Sequence, residues 1–103
     1  MIDYKQGDII KIEGFKRQEF VIVSKNSFIK ATGIFHVCPL LKEVPEGPVH
    51  IAVTGRGNTR GIVICEQIKA IDPDARNCKR TDSLFYDDIM NVSDAIQCIF
   101  EYD

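Results

Sequence analysis

The stretch Gly61-Ile-Val-Ile-Cys-Glu-Gln-Ile-Lys-Ala-Ile-Asp72 sets the organisation of this chain. It begins with a run of apolar, mostly β-branched residues, which is typical of a strand buried on both faces. Glu66 and Gln67 interrupt the run before Ile68 and Ile71 resume it, so the stretch predicts one strand or two. A carboxylate within a core segment costs free energy unless it is paired or takes part in chemistry. Glu66 is therefore the first candidate site residue.

Length and composition indicate one globular domain over residues 1–103. The net charge of −2 excludes a chain that binds polyanions through its overall charge, so contact with nucleic acid requires a local cluster of Lys and Arg. No apolar run approaches the roughly 20 residues of a membrane span. The four cysteines lack the spacing of a zinc site, and we expect free thiols in a cytoplasmic protein, with no metal and no cofactor.

Short strand-like segments follow one another without helices between them. Strands are predicted over residues 7–13, 20–23, 34–38 and 49–53. Residues 28–33 predict a loop or a single helical turn that ends at Gly33, and Pro39 is expected to stop the third strand. This succession favours a mainly β fold, a small antiparallel barrel.

The C-terminal segment changes period. Apolar residues recur at intervals of four and three, which predicts an amphipathic helix with Phe85, Ile89, Val92, Ile96 and Ile99 on one face. Thr81, Asp82 or Ser83 is expected to cap it. Residues 73–82 are polar and are expected to form a connection.

Several short motifs occur in a fixed order along the chain. They are Gly7-Asp-Ile-Ile, Phe20-Val-Ile-Val-Ser24, Thr32-Gly33, Val37-Cys-Pro39, Val49-His-Ile and the Gly61–Asp72 stretch with Arg76 after it. In order and spacing this series resembles the MazF/PemK toxin family over nearly the whole chain. The resemblance implies an SH3-like antiparallel β-barrel of the PemK/MazF/CcdB type with a C-terminal α-helix, forming a homodimer. It also implies a metal-independent endoribonuclease that cleaves single-stranded RNA (mRNA) and is blocked by a cognate antitoxin.

The sequence departs from the family pattern at three places. An Arg-Pro pair usually opens the second strand, but Gln18 and Glu19 stand there and Arg17 lies one place early. A Thr or Ser usually follows the third strand, where this chain has Leu41. The loop between the first two strands is shortened to Glu13–Gln18. The position that survives is Glu66, where some family members place an acidic residue proposed as a base.

RNA cleavage of this type needs a base for the 2′-hydroxyl, an acid for the leaving 5′-oxygen and a cation for the phosphorane. We assign Glu66 as the base and Arg17 as the cation and a candidate acid. The structural alternative is that Arg17 is a solvated turn residue and Glu66 holds a loop amide. The substrate-binding candidates are Lys16, Gln18, Gln67, Arg56, Arg60 and His50.

Other residues extend or compete with this assignment. His36 is a second candidate acid or base, although a histidine on a surface strand is commonly without function. A path for RNA over the dimer includes Lys69, Arg76, Lys79 and Arg80, and we expect no aromatic platform among these cations.

Two other functions remain open because a fold does not fix an activity. Gln18, Leu41 and the short loop favour a catalytically impaired barrel that binds RNA, DNA or a protein partner. A gyrase-directed toxin like CcdB is the third possibility, since it shares the implied fold.

Overall fold

The structure, a computed structural model, describes residues 3–103, so residues 1 and 2 of the expected domain lie outside the described residues. It is mainly β and antiparallel, with a long C-terminal helix, as predicted. The elements in chain order are β1 (Asp8–Ile12), β2 (Glu19–Ile22), α1 (Asn26–Thr32), β3 (Phe35–Leu41), β4 (His50–Thr54), β5 (Arg60–Ile64), β6 (Lys69–Ile71), β7 (Cys78–Ser83) and α2 (Tyr86–Ile99). The Gly61–Asp72 stretch forms two strands, β5 and β6.

One antiparallel sheet contains all seven strands. Its order is β4-β5-β3-β2-β1-β7, and β6 pairs with β3 outside this path. The edge strands β4 and β7 approach each other just beyond their ends, where Gly55 and Leu84 form an isolated bridge. The sheet therefore curls into a barrel-like shape whose two edges are joined at that bridge.

Strand β3 continues through Pro39 to Leu41, so the prediction that Pro39 stops the strand was wrong. The His36 carbonyl accepts a hydrogen bond from the backbone N–H of Val23, next to β2. The backbone groups of every second residue from His36 onward therefore point toward β2. Pro39 faces the other side, where β3 changes its partner from β6 to β5 between Val37 and Leu40. The missing N–H of proline costs no ladder hydrogen bond at such a position.

The buried side chains divide into two clusters, one on each face of the sheet. One cluster lies under α2 and includes Ile9, Val21 and Cys38 of the sheet and Val92 and Ala95 of the helix. The second cluster contains Ile10, Ile12, Phe20, Ile22, Phe35, Val37 and Ile71. We call the face that carries this second cluster the front face.

Two predictions for the C-terminal third were wrong. Residues 78–83 form β7, which pairs with β1, where the sequence predicted a connection. An edge strand needs only backbone pairing on one side, so its side chains can stay polar. Consequently Thr81, Asp82 and Ser83 belong to or end a strand and cap no helix; Phe85 holds the N-cap position without a side-chain hydrogen bond.

The helical predictions agree better with the structure. Of the face predicted for helix α2, Val92 is buried and Ile89 and Ile96 are half-buried, whereas Phe85 and Ile99 are exposed. The helix also buries Ala95, which was not predicted. Helix α1 ends at Gly33, whose left-handed backbone (φ 73°) closes the helix with a hydrogen bond to Ile29. In residues 3–103, neither helix combines the length and apolar character that crossing a membrane requires.

Candidate active site

The sheet register places several candidate residues on the front face. His50 lies opposite Ile64, and Pro39 lies opposite Phe20. Extending the β3–β5 register by one residue joins these pairs into a row across four strands. Lys69 lies opposite Val37 of β3. Val37 is two places before Pro39, so Lys69 and Pro39 project to the same side of the sheet. The front face therefore carries both His50 and Lys69.

His50 and Glu66 form an ion pair at the end of this row. Nε2 of His50 lies 2.9 Å from Oε2 and 3.1 Å from Oε1 of Glu66. Nδ1 of the same ring lies 3.3 Å from the carbonyl oxygen of Pro45. Both partners are acceptors, so a ring that satisfies them donates from both nitrogens and is the imidazolium cation. The sequence predicted both residues separately, and the structure brings them together.

The electrostatics of the pair agree with this assignment. The hydrogen bond to Glu66 raises the pKa of His50, and the same bond lowers the pKa of Glu66. The side chains are 30% and 43% exposed, so both are accessible to a ligand. A cationic proton donor and an ionised carboxylate thus meet at an open surface. Gln67 is exposed beside Glu66, in the turn that follows β5.

The shortened turn holds the other predicted residues. Gln18 donates from Nε2 to the carbonyls of Leu40 (3.0 Å) and Glu19 (2.7 Å), so its amide ties the start of β2 to the end of β3. Arg17 and Lys16 are exposed, and Lys16 has a left-handed backbone with φ 52°. In the described part of the chain, Arg17 forms no hydrogen bond or ion pair with His50 or Glu66.

Arg56 and Arg60 lie at the other end of β5. Arg60 begins the strand and Glu66 follows its end, and six residues of extended chain span about 20 Å. The guanidinium of Arg56 lies 4.6 Å from the ring centroid of Phe85, next to α2. The structure therefore does not bring these two arginines to the His50–Glu66 pair.

Asp82 fixes the loop that carries Arg56, a role that the sequence analysis missed. Its Oδ1 accepts hydrogen bonds from the backbone N–H groups of Gly57 and Ser83, both at 2.8 Å, and Oδ2 accepts one from Thr59 at 3.1 Å. Burial would raise the pKa of this carboxyl, but these bonds outweigh burial and lower the pKa to about 2. A Cβ at Gly55 would collide with the carboxylate, so glycine is needed there. The glycines around Arg56 were the only sequence signal.

The remaining cations are held in different ways. Lys69 and Arg76 both lie over the ring of Phe15. The expectation that no aromatic platform stacks bases among these cations stays a prediction. Arg80 pairs with the buried Asp8 and is not free for RNA. Lys79 lies opposite Lys11 on β1.

His36 lies on the opposite face from its neighbour Val37 and so is not part of the pair's surroundings. Its Nδ1 is 3.2 Å from the Ser24 hydroxyl, and its ring packs against Phe28. Within residues 3–103, no three His, Cys, Asp or Glu side chains converge in a way that would hold a metal ion.

The chain is similar to one protein family and to a group of solved structures. The family model described as PemK-like, MazF-like toxin of type II toxin-antitoxin system matches residues 5–100. A MazE–MazF crystal structure from Deinococcus radiodurans aligns with a TM-score of 0.82 at 14% identity, covering 96% of this chain and 97% of that one.

Two mycobacterial structures show the same likeness. An endoribonuclease in complex with its cognate antitoxin aligns with a TM-score of 0.77 at 14% identity, covering 97% of this chain and 99% of the other. An endoribonuclease without the antitoxin gives 0.77 at 15% identity, covering 95% and 91%. At these identities the likeness concerns the fold. No curated protein sequence matches the chain.

Proposed function

The chain belongs to the PemK-like, MazF-like toxins of type II toxin-antitoxin systems, and we propose from this membership that it is a metal-independent endoribonuclease of the cytoplasm acting on single-stranded RNA. The observation that carries the proposal is the exposed His50–Glu66 pair on the front face. It supplies a proton acceptor and a proton donor without a metal. The family match over residues 5–100 confirms the resemblance seen in the sequence, and the activity is our proposal.

The pair can perform transesterification of the RNA backbone. Glu66 takes the proton from a ribose 2′-hydroxyl, and the 2′-oxygen attacks the neighbouring phosphorus. The bond from phosphorus to the 5′-oxygen breaks, and His50 gives its proton to that oxygen. The products are a 2′,3′-cyclic phosphate and a 5′-hydroxyl, so atoms and charges balance without another reactant. The substrate phosphate must part the pair as it enters.

Arg17 is our candidate for stabilising the charge on the phosphorane. Its side chain is exposed on the short turn, and its planar fork suits phosphate. Gln18 and Leu41 offer neither a cation nor a hydroxyl where the family has them. We assign Lys16, Gln18 and Gln67 to substrate contact near this turn and beside Glu66, and Arg56 and Arg60 to contact with more distant nucleotides.

Two partners complete the proposal. A groove of about 280 Å³, lined by Val23, Ser24, His36, Ile68, Ile96 and Phe100, lies between the sheet and the end of α2. Phe100 is 71% exposed and Ile99 is 37% exposed at its rim. We propose that a second copy of the chain covers this surface in a homodimer. A cognate antitoxin is the other expected partner, since the MazF and mycobacterial structures include such complexes.

The test is incubation of the pure protein with a long single-stranded RNA in the presence of EDTA. Cuts at defined sites should appear with the wild type and form far more slowly with Glu66→Gln and His50→Gln. Asp94→Asn is the matched control, because Asp94 is exposed on α2, which packs against the other face of the sheet. Arg17→Ala tests whether this side chain stabilises the charge on the phosphorane. Cleavage by Glu66→Gln at the wild-type rate would contradict the mechanism.

The binding-module alternative rests on Gln18 and Leu41, which replace two functional positions of the family. It predicts that the pure protein binds RNA, DNA or a protein but leaves RNA intact under every condition. Slow cleavage that depends on Glu66 would exclude it.

A further inference from the structure

Two cationic side chains from different elements lie over one aromatic ring on the front face. Nζ of Lys69, on β6, is 4.7 Å from the ring centroid of Phe15. The guanidinium carbon of Arg76, in the connection to β7, is 5.2 Å from the same centroid. The two charges are therefore no more than about 10 Å apart. We call Phe15, Lys69 and Arg76 the Phe15 clip.

The clip lacks a carboxylate counter-ion among the described residues, where the ion pairs are His50–Glu66 and Arg80–Asp8. The acids nearest in sequence, Glu13 and Asp72, accept hydrogen bonds from neutral groups and form no ion pair with the clip among the described residues. Glu13 accepts a hydrogen bond from the Asn77 side chain at 2.6 Å, and Asp72 accepts one from the backbone of Asp74 at 3.0 Å. Like charges held together without a counter-ion repel each other, and a bound anion removes that repulsion.

The clip is also built to stay in place. The backbone N–H of Glu13 donates to the carbonyl of Asn77 at 2.9 Å, which ties the turn of Phe15 to the connection of Arg76. Phe15 packs edge-on against Phe20 of the second core cluster, with ring centroids 5.2 Å apart. An anion site whose cations are held in advance costs less ordering on binding.

The clip lies close to the candidate catalytic pair. Lys69 follows Glu66 by three residues, so their Cα atoms are at most about 11 Å apart. Register places Lys69 and His50 on the same face of the sheet. Arg17 and Lys16 are exposed on the same turn as Phe15, so this turn carries two further cations.

From these observations we propose that the Phe15 clip binds a backbone phosphate of the RNA strand, next to or one removed from the scissile phosphate. This inference rests on the proposed function, because it takes RNA as the ligand. An acidic protein segment could in principle engage the same cations. The position beside Glu66 on one continuous face favours the RNA strand, because its phosphates must continue past the reacting one.

The experiment measures binding of a 2′-O-methyl RNA oligonucleotide, whose blocked hydroxyl prevents cleavage, by fluorescence anisotropy over a range of salt. Lys69→Gln and Arg76→Gln should each raise Kd about tenfold at low salt. Each should also reduce the slope of log Kd against log salt by about 0.7, the value per phosphate contact on a single strand. Lys11→Gln is the control, because Lys11 is exposed between Ile10 and Ile12 of the front-face cluster and so lies on the other face of the sheet; it should leave both quantities unchanged.

A second variant separates the ring from the charges. Phe15→Leu keeps an apolar side chain in the turn but removes the π face, so Kd should rise about threefold. Thermal melting of each variant shows whether it is folded. Wild-type Kd and salt slope in folded Lys69→Gln and Arg76→Gln would overturn the proposal, as would absence of RNA binding by the wild type.

The outcomes also separate this inference from the proposed function. If the wild type cuts RNA and the clip variants bind it normally, the clip proposal fails and the nuclease stands. If the chain binds RNA through Lys69 and Arg76 but never cuts it, the nuclease fails and the clip stands. If Lys69→Gln and Arg76→Gln lose binding to an acidic peptide but bind RNA as the wild type does, the clip belongs to a protein partner and the proposal is overturned.

Discussion

Residues 3–103 contain two ion pairs of nearly equal length in opposite environments. Nε2 of His50 lies 2.9 Å from Glu66, and Nε of Arg80 lies 3.0 Å from Asp8. The Glu66 side chain is 43% exposed, whereas that of Asp8 is 8% exposed. The length of an ion pair therefore does not distinguish a functional pair from a structural one. The burial of its carboxylate does.

The pKa shifts of the two carboxyls run in opposite directions. The hydrogen bond from His50 lowers the pKa of Glu66. Burial raises the pKa of Asp8, although hydrogen bonds from the Lys5 backbone and Arg80 oppose the rise. Asp8 thus needs Arg80 to remain ionised inside the protein, while water already solvates Glu66. Removing a partner should therefore cost stability in one pair and activity in the other.

The largest expected effect is on cleavage by Glu66→Gln. Loss of the base should lower the cleavage rate about 10²- to 10⁴-fold, the usual contribution of a general base. The free energy of unfolding should change little, because exposed ion pairs contribute little to stability. Cleavage kinetics and urea denaturation measure the two effects. A large loss of stability with normal cleavage would reverse the roles assigned to the two pairs.

The next effect is on stability, from Arg80→Met. This change leaves Asp8 buried without its cation, and the free energy of unfolding should fall by about 3 kcal/mol. Cleavage per folded molecule should stay unchanged. Lys79→Met is the matched control, since Lys79 is exposed on the same strand and should change stability by less than about 0.5 kcal/mol. Equal urea midpoints for the two variants would contradict a structural role for Arg80.

The features of the fold and site that could be predicted from the sequence are those that depend on neighbouring residues in the chain. The Gly61–Asp72 stretch predicted one strand or two and the period of α2 predicted a helix, because apolar spacing records which face is buried. His50 and Glu66 were predicted singly, but their pairing depends on the β4–β5 register, which no local pattern specifies. Strand β7 was missed because its exposed polar side chains carry no alternation.

Asp82 was misread for the same reason. An aspartate shortly before a helix is typical of a cap, and its actual partners, Gly57 and Thr59, are more than twenty residues earlier in the chain. That Leu41 and Gln18 depart from the family pattern at functional positions stays a prediction. What replaces the missing groups is a question of side-chain placement, which the sequence does not specify.

A third carboxylate sharpens the comparison of the two pairs, because Asp82 is stabilised by backbone amides and not by a cation. Asp82→Ala should lower the free energy of unfolding by about 2 kcal/mol at neutral pH. The folded-state pKa of about 2 lies below the usual value, so the contribution is present above about pH 4 and is lost as pH falls toward 2. Urea denaturation of wild type and variant at pH 7, 4 and 2.5 should show converging stabilities. A constant difference would contradict this account.

The smallest effect is the pH dependence of cleavage. The pKa of His50 is raised and that of Glu66 is lowered, so His50 is protonated and Glu66 is ionised together over a window between the two values. Cleavage should be constant within the window and fall about tenfold per pH unit above the raised pKa of His50, as the acid loses its proton. His50→Gln should be slower at all pH values and lack this alkaline decline. If the decline survives in His50→Gln, another group donates the proton to the leaving oxygen, and Arg17, which stays charged throughout this range, is excluded as the cause of the decline.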